Sequence, residues 1–192
     1  MFSFVQSTKK KIKETTFYKY YLKHIIYNKC AMRLLGALNR VRWKKINLLI
    51  ILWPPAAGVF EQIIEELKID LKILKETRFH INKKYFKKFV NELYIIDHAG
   101  PDKISRKIDR LSESSHKLVV IHVEILNPKL LVQDALNNVR CENIGNIKDN
   151  IRQKFKSEIR DYVYDVIIHS TEVDYQNRKV MHLLKKYGTR CD

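Results

Sequence analysis

Two apolar runs, each of which ends abruptly in rigid or polar residues, most constrain how this chain can fold. Residues 46–52 read Ile-Asn-Leu-Leu-Ile-Ile-Leu and stop at a Trp-Pro-Pro-Ala turn that begins at Trp53. Residues 164–168 read Tyr-Asp-Val-Ile-Ile and stop at a His-Ser-Thr-Glu sequence that begins at His169. Each run predicts a buried strand whose C-terminal end delivers a loop, and α/β proteins bind ligands at such strand ends. We therefore expect a functional site where these two strands end.

The rest of the chain alternates between strand-like and helix-like patterns. Strands are predicted over residues 46–53, 71–77, 118–126 and 162–169. Helices are predicted over residues 58–68, 83–94, 101–111, 129–139, 151–159 and 174–186, with a turn-rich stretch over 141–150. Two of the strands are nearly continuous Leu/Ile/Val runs, a pattern typical of parallel strands that are buried on both faces. The order predicts an α/β sandwich with a mixed or largely parallel four-stranded sheet and helices on both faces.

The positive charge of the chain is concentrated near its N-terminus. The net charge is +16 over 192 residues, and residues 1–45 hold twelve Lys or Arg side chains and one acid. This segment is predicted to be a basic, amphipathic, helical appendage to an α/β domain over residues 46–192. A concentrated cationic segment of this kind binds polyanions, so an anionic membrane surface or nucleic acid is its expected partner.

Cysteine usage and hydropathy favour a cytoplasmic protein. The three cysteines are far apart and include no Cys-x-x-Cys pair, which argues against a disulfide framework or a structural zinc site. No apolar run reaches the ~20 residues that a membrane-spanning helix needs, and lysines interrupt the N-terminus where a signal peptide would be apolar. We expect a cytoplasmic location, with attachment to the inner membrane face through residues 1–45 as an alternative.

His169 is the first candidate for a catalytic residue. An imidazole at a strand end can act as a nucleophile or as a general acid or base, because its unperturbed pKa lies near neutrality. Glu172, three residues later, is a candidate for fixing the tautomer of the imidazole, and Ser170 and Thr171 are candidates for orienting it. The competing interpretation is a half-buried histidine that only ends a strand.

Four cations are candidates for phosphate binding. Arg152 opens the predicted helix before the last strand, and a guanidinium binds phosphate in a bidentate manner. Lys103, Arg106 and Lys107 form a cationic stripe on a predicted amphipathic helix. Both features also fit the solvated face of an ordinary helix.

Trp53 and Pro54 are candidates for stacking on a base or sugar ring, although the same residues could simply close the edge of the sheet. The sequence contains no glycine-rich phosphate loop of the GxxxxGK[ST] or GxGxxG type. It also shows no cluster of residues with metal-ligand spacing, so no metal site is predicted.

Taken in order, four motifs resemble those of the nucleoside diphosphate kinase family. The family has a first strand that ends in Lys-Pro-Asp-Ala, a central Asn-Val-x-(Arg/Lys) stretch, an Ile-Arg pair and a last strand that ends in His-Gly-Ser-Asp. The corresponding residues here are Trp53-Pro54-Pro55-Ala56, Asn138-Val139-Arg140, Ile151-Arg152 and His169-Ser170-Thr171-Glu172. The resemblance spans roughly residues 46–187. It implies a ferredoxin-like fold and a histidine that is phosphorylated by a nucleotide, with magnesium as the accompanying ion if a nucleotide is bound.

The chain also departs from this pattern. Trp53 replaces the phosphate-binding lysine, Pro55 replaces the aspartate and Ser170 replaces the glycine. We therefore expect a protein that handles a phosphate ester or a nucleotide, as a phosphotransferase that uses His169, rather than a nucleoside diphosphate kinase as such. Nucleotide-sugars and sugar phosphates remain open as substrates. The alternative is a non-catalytic accessory protein that binds polyanions or a membrane surface, for example in surface-glycan synthesis.

The geometry that this hypothesis requires is specific. His169 should lie in a solvent-reachable cleft, with Arg152 and the turn at Trp53 and Pro54 nearby. Parallel neighbouring strands would bring the C-terminal ends of both runs to the same edge of the sheet.

Overall fold

The computed structural model describes residues 44–96, 101–133, 138–160, 162 and 166–191. The predicted N-terminal appendage therefore falls outside the described residues. The strands are β1 (Lys45–Leu52), β2 (Lys72–Ile81), β3 (Lys117–Leu126), β4 (Leu130–Gln133), β5 (Asn138–Cys141), β6 (Ile168–Ser170) and β7 (Gly188–Cys191). The α-helices are α1 (Phe60–Asp70), α2 (Lys83–Ile96), α3 (Pro101–Ser112), α4 (Glu142–Phe155) and α5 (Asp174–Tyr187). Short 3-10 helices cover Pro54–Val59 and Lys156–Glu158.

The main sheet is five-stranded, in the order β6-β1-β3-β2-β7, and each of its neighbouring strand pairs is antiparallel. The prediction of a mixed or largely parallel four-stranded sheet is therefore wrong. The reason lies in the burial of β1, where five consecutive residues from Leu48 to Leu52 are buried. Successive side chains of a strand point to opposite faces, so both faces of β1 are covered. Burial on both faces produces a continuous apolar run whatever the direction of the neighbouring strands.

Helices cover the sheet as two groups. The helices α1 and α4 each connect two strands that have another strand between them, which is the split β-α-β arrangement. They pack against each other, and α2 packs against α3 and α5. Because such crossovers are right-handed, α1 and α4 lie on the same face of the sheet. Both faces are buried, so we infer that α2 and α5 cover the other face.

Local apolar spacing explains the helices on either face. In α1, Phe60, Ile63, Ile64 and Leu67 follow the i, i+3, i+4, i+7 pattern and are all buried. The helix ends at Asp70, and the next residue, Leu71, has extended backbone angles. Complete burial of each such side chain stabilises the fold by about 1.5–3 kcal/mol relative to exposure. The five α-helices of the described residues all lie within the predicted α/β domain, after residue 45.

The segment between β3 and α4 differs most from the sequence-based expectation. Residues 129–139 were predicted to be helical, but β4 and β5 pair there as a two-stranded antiparallel sheet. Leu130 is 7% exposed and Leu131 is 44% exposed, which is the two-residue alternation of a strand. The turn-rich stretch at 141–150 instead forms the first nine residues of α4, from Glu142 onward.

Two further strands differ in extent. The second strand reaches Ile81, and its far end pairs with β7, a strand that the sequence pattern did not predict. The strand expected over 162–169 is confined, within the described residues, to β6. No helix in the described part of the chain is both long enough and apolar enough to cross a membrane.

Candidate functional site

The end of β1 and the short strand β6 lie side by side. His169 stands opposite Ile51 in the antiparallel pair, and the backbone N–H of Trp53 donates a hydrogen bond to the carbonyl of Ile167 at 2.9 Å. Ile51 and Trp53 are two residues apart on one strand, so their side chains share a face of the sheet with that of His169. Trp53 and His169 are therefore neighbours although the two strands run in opposite directions.

Aromatic rings enclose the imidazole of His169. Its ring centroid lies 5.3 Å from that of Tyr94 and 6.2 Å from that of Trp53. Tyr94 lies near the end of α2 and is stacked on Trp53, with centroids 6.1 Å apart and planes 22° apart. His169 is only 7% exposed, so the expectation of a solvent-reachable imidazole is wrong. Trp53 is fully buried and already stacked, which leaves no exposed indole face for a ligand ring.

The neutral form of His169 is strongly favoured. Burial lowers the pKa of His169 well below its usual value, and the positive charges of Lys148, Lys107 and Arg152 lower it further. Removal of a group from water disfavours its charged form, and nearby like charges have the same effect on an imidazolium. At neutral pH the imidazole is therefore uncharged, so one ring nitrogen keeps its lone pair.

The three cations that act on His169 come from two helices, α3 and α4. The Lys107 ammonium group, from α3, lies 4.6 Å from the centre of the Tyr94 ring. Arg152, from α4, donates a hydrogen bond to the carbonyl of Ile168 at 3.3 Å and pairs with Asp149 at 2.9 Å. Lys107 and Arg152 were predicted as phosphate ligands, and the structure places both charges around the histidine.

The third cation, Lys148, was not predicted from the sequence. Its ammonium group forms a 2.5 Å ion pair with Glu172, and the side chains are only 9% and 14% exposed. Glu172 also accepts a hydrogen bond from the backbone N–H of Cys141 at 3.2 Å, and its own N–H donates to Gln176. Glu172, which was predicted to fix the tautomer of the imidazole, therefore anchors the loop after β6 to α4. The i, i+4 spacing of Lys148 and Arg152 on α4 is the only sequence signal that could have suggested this lysine.

The hydroxyl of Thr171 fixes the strand that carries His169. Its Oγ1 accepts a hydrogen bond from the N–H of Leu49 at 2.8 Å and donates one to Asn177 at 2.6 Å. Asn177 in turn donates to the carbonyl of Asn47 at 2.7 Å. Ser170 is buried, and its side chain faces away from His169 because the two are adjacent on the strand. These contacts make the Thr171 hydroxyl a structural support for the strand, whereas the buried Ser170 hydroxyl has no hydrogen-bond partner among the described residues.

The other three predicted residues are Arg106, Lys103 and Pro54. Arg106 is exposed on α3, and the side chain of Lys103 falls outside the described residues. Pro54 is buried at the first position of the 3-10 helix, where the fixed backbone angle of proline fits. Tyr94 was not predicted as a site residue, because the spacing of aromatic residues in α2 is typical of a helix face that packs in the core.

The residues present do not fit a resident metal ion. No group of three or more His, Cys, Asp or Glu side chains in the described residues could hold one. The carboxylate of Glu172 is occupied by Lys148, and the charges that surround His169 are positive.

Comparisons with known proteins give a distant structural likeness. No family model matches the chain, and no curated protein matches it significantly. The nucleoside diphosphate kinase of Aquifex aeolicus is similar at 14% identity and a TM-score of 0.47, over 73% of this chain and 94% of that one. The Borrelia burgdorferi kinase with bound vanadate and ADP gives 11% identity and a TM-score of 0.40, over 73% and 86% of the two chains.

A third structure, the NDP kinase of Pyrobaculum aerophilum, gives 12% identity and a TM-score of 0.38, over 72% of this chain and 94% of that one. These three structures are nucleoside diphosphate kinases, the family that the sequence motifs resemble, and the chain is similar to them only distantly.

Proposed function

We propose that this protein handles a phosphate ester, specifically a nucleotide, and that His169 accepts its terminal phosphoryl group. The observation that carries the proposal is a neutral imidazole on which three cations act, namely Lys107, Lys148 and Arg152. The charges that disfavour an imidazolium favour the anionic phosphohistidine. The site is therefore electrostatically suited to a product that carries negative charge where the reactant carried none.

The transfer is a nucleophilic substitution at phosphorus. The lone pair of a ring nitrogen of His169 attacks the terminal phosphorus, a P–N bond forms, and the P–O bond to the nucleoside diphosphate breaks. The other ring nitrogen keeps its proton. Lys107 and Arg152 would neutralise the oxygens of the transferred group, and the positive charge of Lys148 would add to the favourable potential.

Access to the imidazole requires movement of a covering ring. His169 is 7% exposed, and Tyr94 lies against it only two residues before α2 ends at Ile96. Residues near a helix end are held by fewer backbone hydrogen bonds than those in its middle. We therefore propose that Tyr94 moves aside, with Lys107, when a phosphate enters.

Transfer to the protein can be tested directly with a terminally labelled nucleoside triphosphate. The chain should acquire label that is stable to alkali and labile to acid, as a phosphohistidine is, and the His169→Asn variant should acquire none. His182→Asn is the matched control, since His182 is exposed on α5, and it should be labelled like the wild type. Labelling of His169→Asn at the wild-type rate would contradict the proposal.

A second candidate function is binding of the same ligand without transfer. The burial of His169 favours it, as does the presence of a fully buried Trp53 at the position where the resembled family has a phosphate-binding lysine. In that case a nucleotide should change the tryptophan fluorescence of the wild type while no label is transferred. Lys107→Gln should weaken this response, whereas Lys117→Gln, which removes an exposed charge on β3, should not.

A further inference from the structure

We propose that the paired helices α2 and α5 form a binding surface for single-stranded nucleic acid. The two helices together carry eight Lys or Arg residues and two acids, a net charge of +6. The crossover helix α1 carries one lysine and four acids, a net charge of −3. Since α1 lies on the opposite face of the sheet, the described domain has a cationic side and an acidic helix on the other side. Such segregation orients a polyanion toward one surface.

The two helices pack antiparallel and leave a groove between them. The rings of Tyr85 and Tyr187 lie 5.9 Å apart at one end, and the hydroxyl of Tyr187 donates to Glu92 at 2.7 Å. The groove has a volume of about 390 Å³. Its lining residues are Glu92, Ile96, Arg178, Lys179, His182 and Leu183. It is open to solvent, and Arg178 and Lys179 on its α5 side are exposed cations.

The carboxylate in this groove is already neutralised. Glu92 accepts hydrogen bonds from the hydroxyl of Tyr187 and from the ammonium group of Lys186 at 3.2 Å. Several exposed cations of the same two helices form no ion pair within the described part of the chain. They are Lys84, Lys88, Arg178, Lys179 and Lys185. A phosphate backbone would supply the opposite charge that these side chains lack.

Exposed tyrosines accompany the cations. Tyr85 is 41% exposed and Tyr175 is 49% exposed, one on each helix. The ammonium groups of Lys84 and Lys179 lie 5.5 Å from the centres of these two rings. Exposed aromatic side chains next to cations are a recurring means of binding unpaired bases, which stack on the rings while the phosphates follow the cations. Bases can stack on these exposed rings, whereas a bilayer surface offers only anionic charge, so a flexible nucleic acid strand fits this surface better.

The test measures binding of a fluorescent oligothymidylate to the full chain by anisotropy, over about 50 to 200 mM salt. In the variant Arg178→Gln, Lys179→Gln, Lys185→Gln the slope of log affinity against log salt should fall by about 2, since each phosphate contact on a single strand contributes about 0.7. The control variant Lys75→Gln, Lys117→Gln, Lys156→Gln removes three exposed lysines from other elements. It should retain most of the wild-type slope.

Tyr175→Ala separates stacking from net charge. It removes no charge, and it should weaken oligothymidylate binding several-fold while leaving retention on heparin, which has no bases, unchanged. Circular dichroism should show that all variants stay folded, and phosphohistidine formation should be unaffected because none of these residues lies at His169.

An equal loss of binding in the two triple variants would overturn the proposal, since binding would then follow net charge alone. The proposal would also be overturned if the α5 triple variant lost retention on phosphatidylserine vesicles but kept its affinity for oligothymidylate.

Discussion

At the scale of single residues, the charge state of His169 is controlled by four separate elements. The ring belongs to β6, Tyr94 of α2 excludes water from it, and Lys107 of α3 together with Lys148 and Arg152 of α4 add positive potential. None of these residues is close to His169 in sequence. A substitution in any of the four elements can therefore change the protonation of the same imidazole.

This control predicts a pH-dependent stability. The pKa of His169 is lower in the folded protein than in the unfolded chain, so below about pH 6.5 the unfolded chain binds more protons at this residue. The free energy of unfolding should therefore fall as the pH is lowered from about 7.5 to about 5, and it should fall less in His169→Gln. Denaturant titrations of the wild type and of His169→Gln at several pH values measure these two changes in the free energy of unfolding.

The His182→Gln variant is the control for that experiment, because His182 is exposed, and it should follow the wild-type pH dependence. An identical pH dependence in His169→Gln and the wild type would show that the imidazole is not kept neutral by its surroundings.

At the scale of elements, the junction between α5 and β7 depends on a close approach at Gly188. A β-carbon added there would lie 2.7 Å from Cδ1 of Ile81 and 2.9 Å from the carbonyl oxygen of Leu184. The side chain of Ile81 is completely buried and the oxygen belongs to the backbone, so neither can yield easily. Gly188 thus lets the chain turn directly from the last helix into the strand that pairs with β2.

We expect Gly188→Ala to destabilise the protein by about 1–3 kcal/mol, the usual cost of overpacking. Gly145→Ala is the matched control, because Gly145 lies inside α4 and an added β-carbon would meet nothing within 4 Å. That change should stabilise the helix by roughly 0.5–1 kcal/mol. Thermal unfolding of the two variants should shift in opposite directions; a shift in the same direction would contradict the steric argument.

The sequence predicted where long buried strands lie but not their direction. The predicted strands at 46–53 and 118–126 fall within one residue of β1 and β3, because long apolar runs are strong signals. Direction depends on hydrogen-bond partners far away in the chain, such as Ile51 opposite both Val120 and His169. The prediction of a helix at 129–139 is wrong because this short apolar segment fits both a helical and a strand pattern. Its pairing with β5, which the local sequence does not show, makes it a strand.

Proximity of His169 and Trp53 does not need the parallel strands that the sequence analysis assumed. The strand β6 is only three residues long and pairs with the last three residues of β1. Lys148 and Tyr94 could not be assigned to the site from sequence, because both follow ordinary helical patterns. Only the packing of α4 and α2 brings them to the histidine.

At the scale of the whole molecule, positive charge occurs in two places that are separate in sequence. Residues 1–43 hold ten Lys or Arg residues and one acid, and α2 with α5 contribute a further +6. Lys44 belongs with the folded domain, because its carbonyl accepts a hydrogen bond from Asn127 at 3.0 Å, and β1 begins at Lys45. We therefore propose that the folded domain begins at Lys44 and not at residue 46.

A chain that starts at Lys44 should remain folded. It should elute from heparin at clearly lower salt than the full chain, because the removed residues 1–43 carry a net charge of +9. Its retention on anionic vesicles should fall as well. Circular dichroism checks folding, and heparin chromatography measures the charge effect. Unchanged retention would show that the N-terminal segment does not bind anionic surfaces.

The bond between Arg152 and the carbonyl of Ile168 has a consequence for self-association. Among the described strands β6 is outermost on its side of the sheet, and an open strand edge can pair with a strand from another molecule. The Arg152 guanidinium covers part of this edge. A variant that removes Arg152 to weaken phosphate binding would also uncover backbone that attracts other copies of the chain. A loss of phosphate binding or of labelling in that variant therefore has to be compared with its aggregation state before it is assigned to the proposed ligand site.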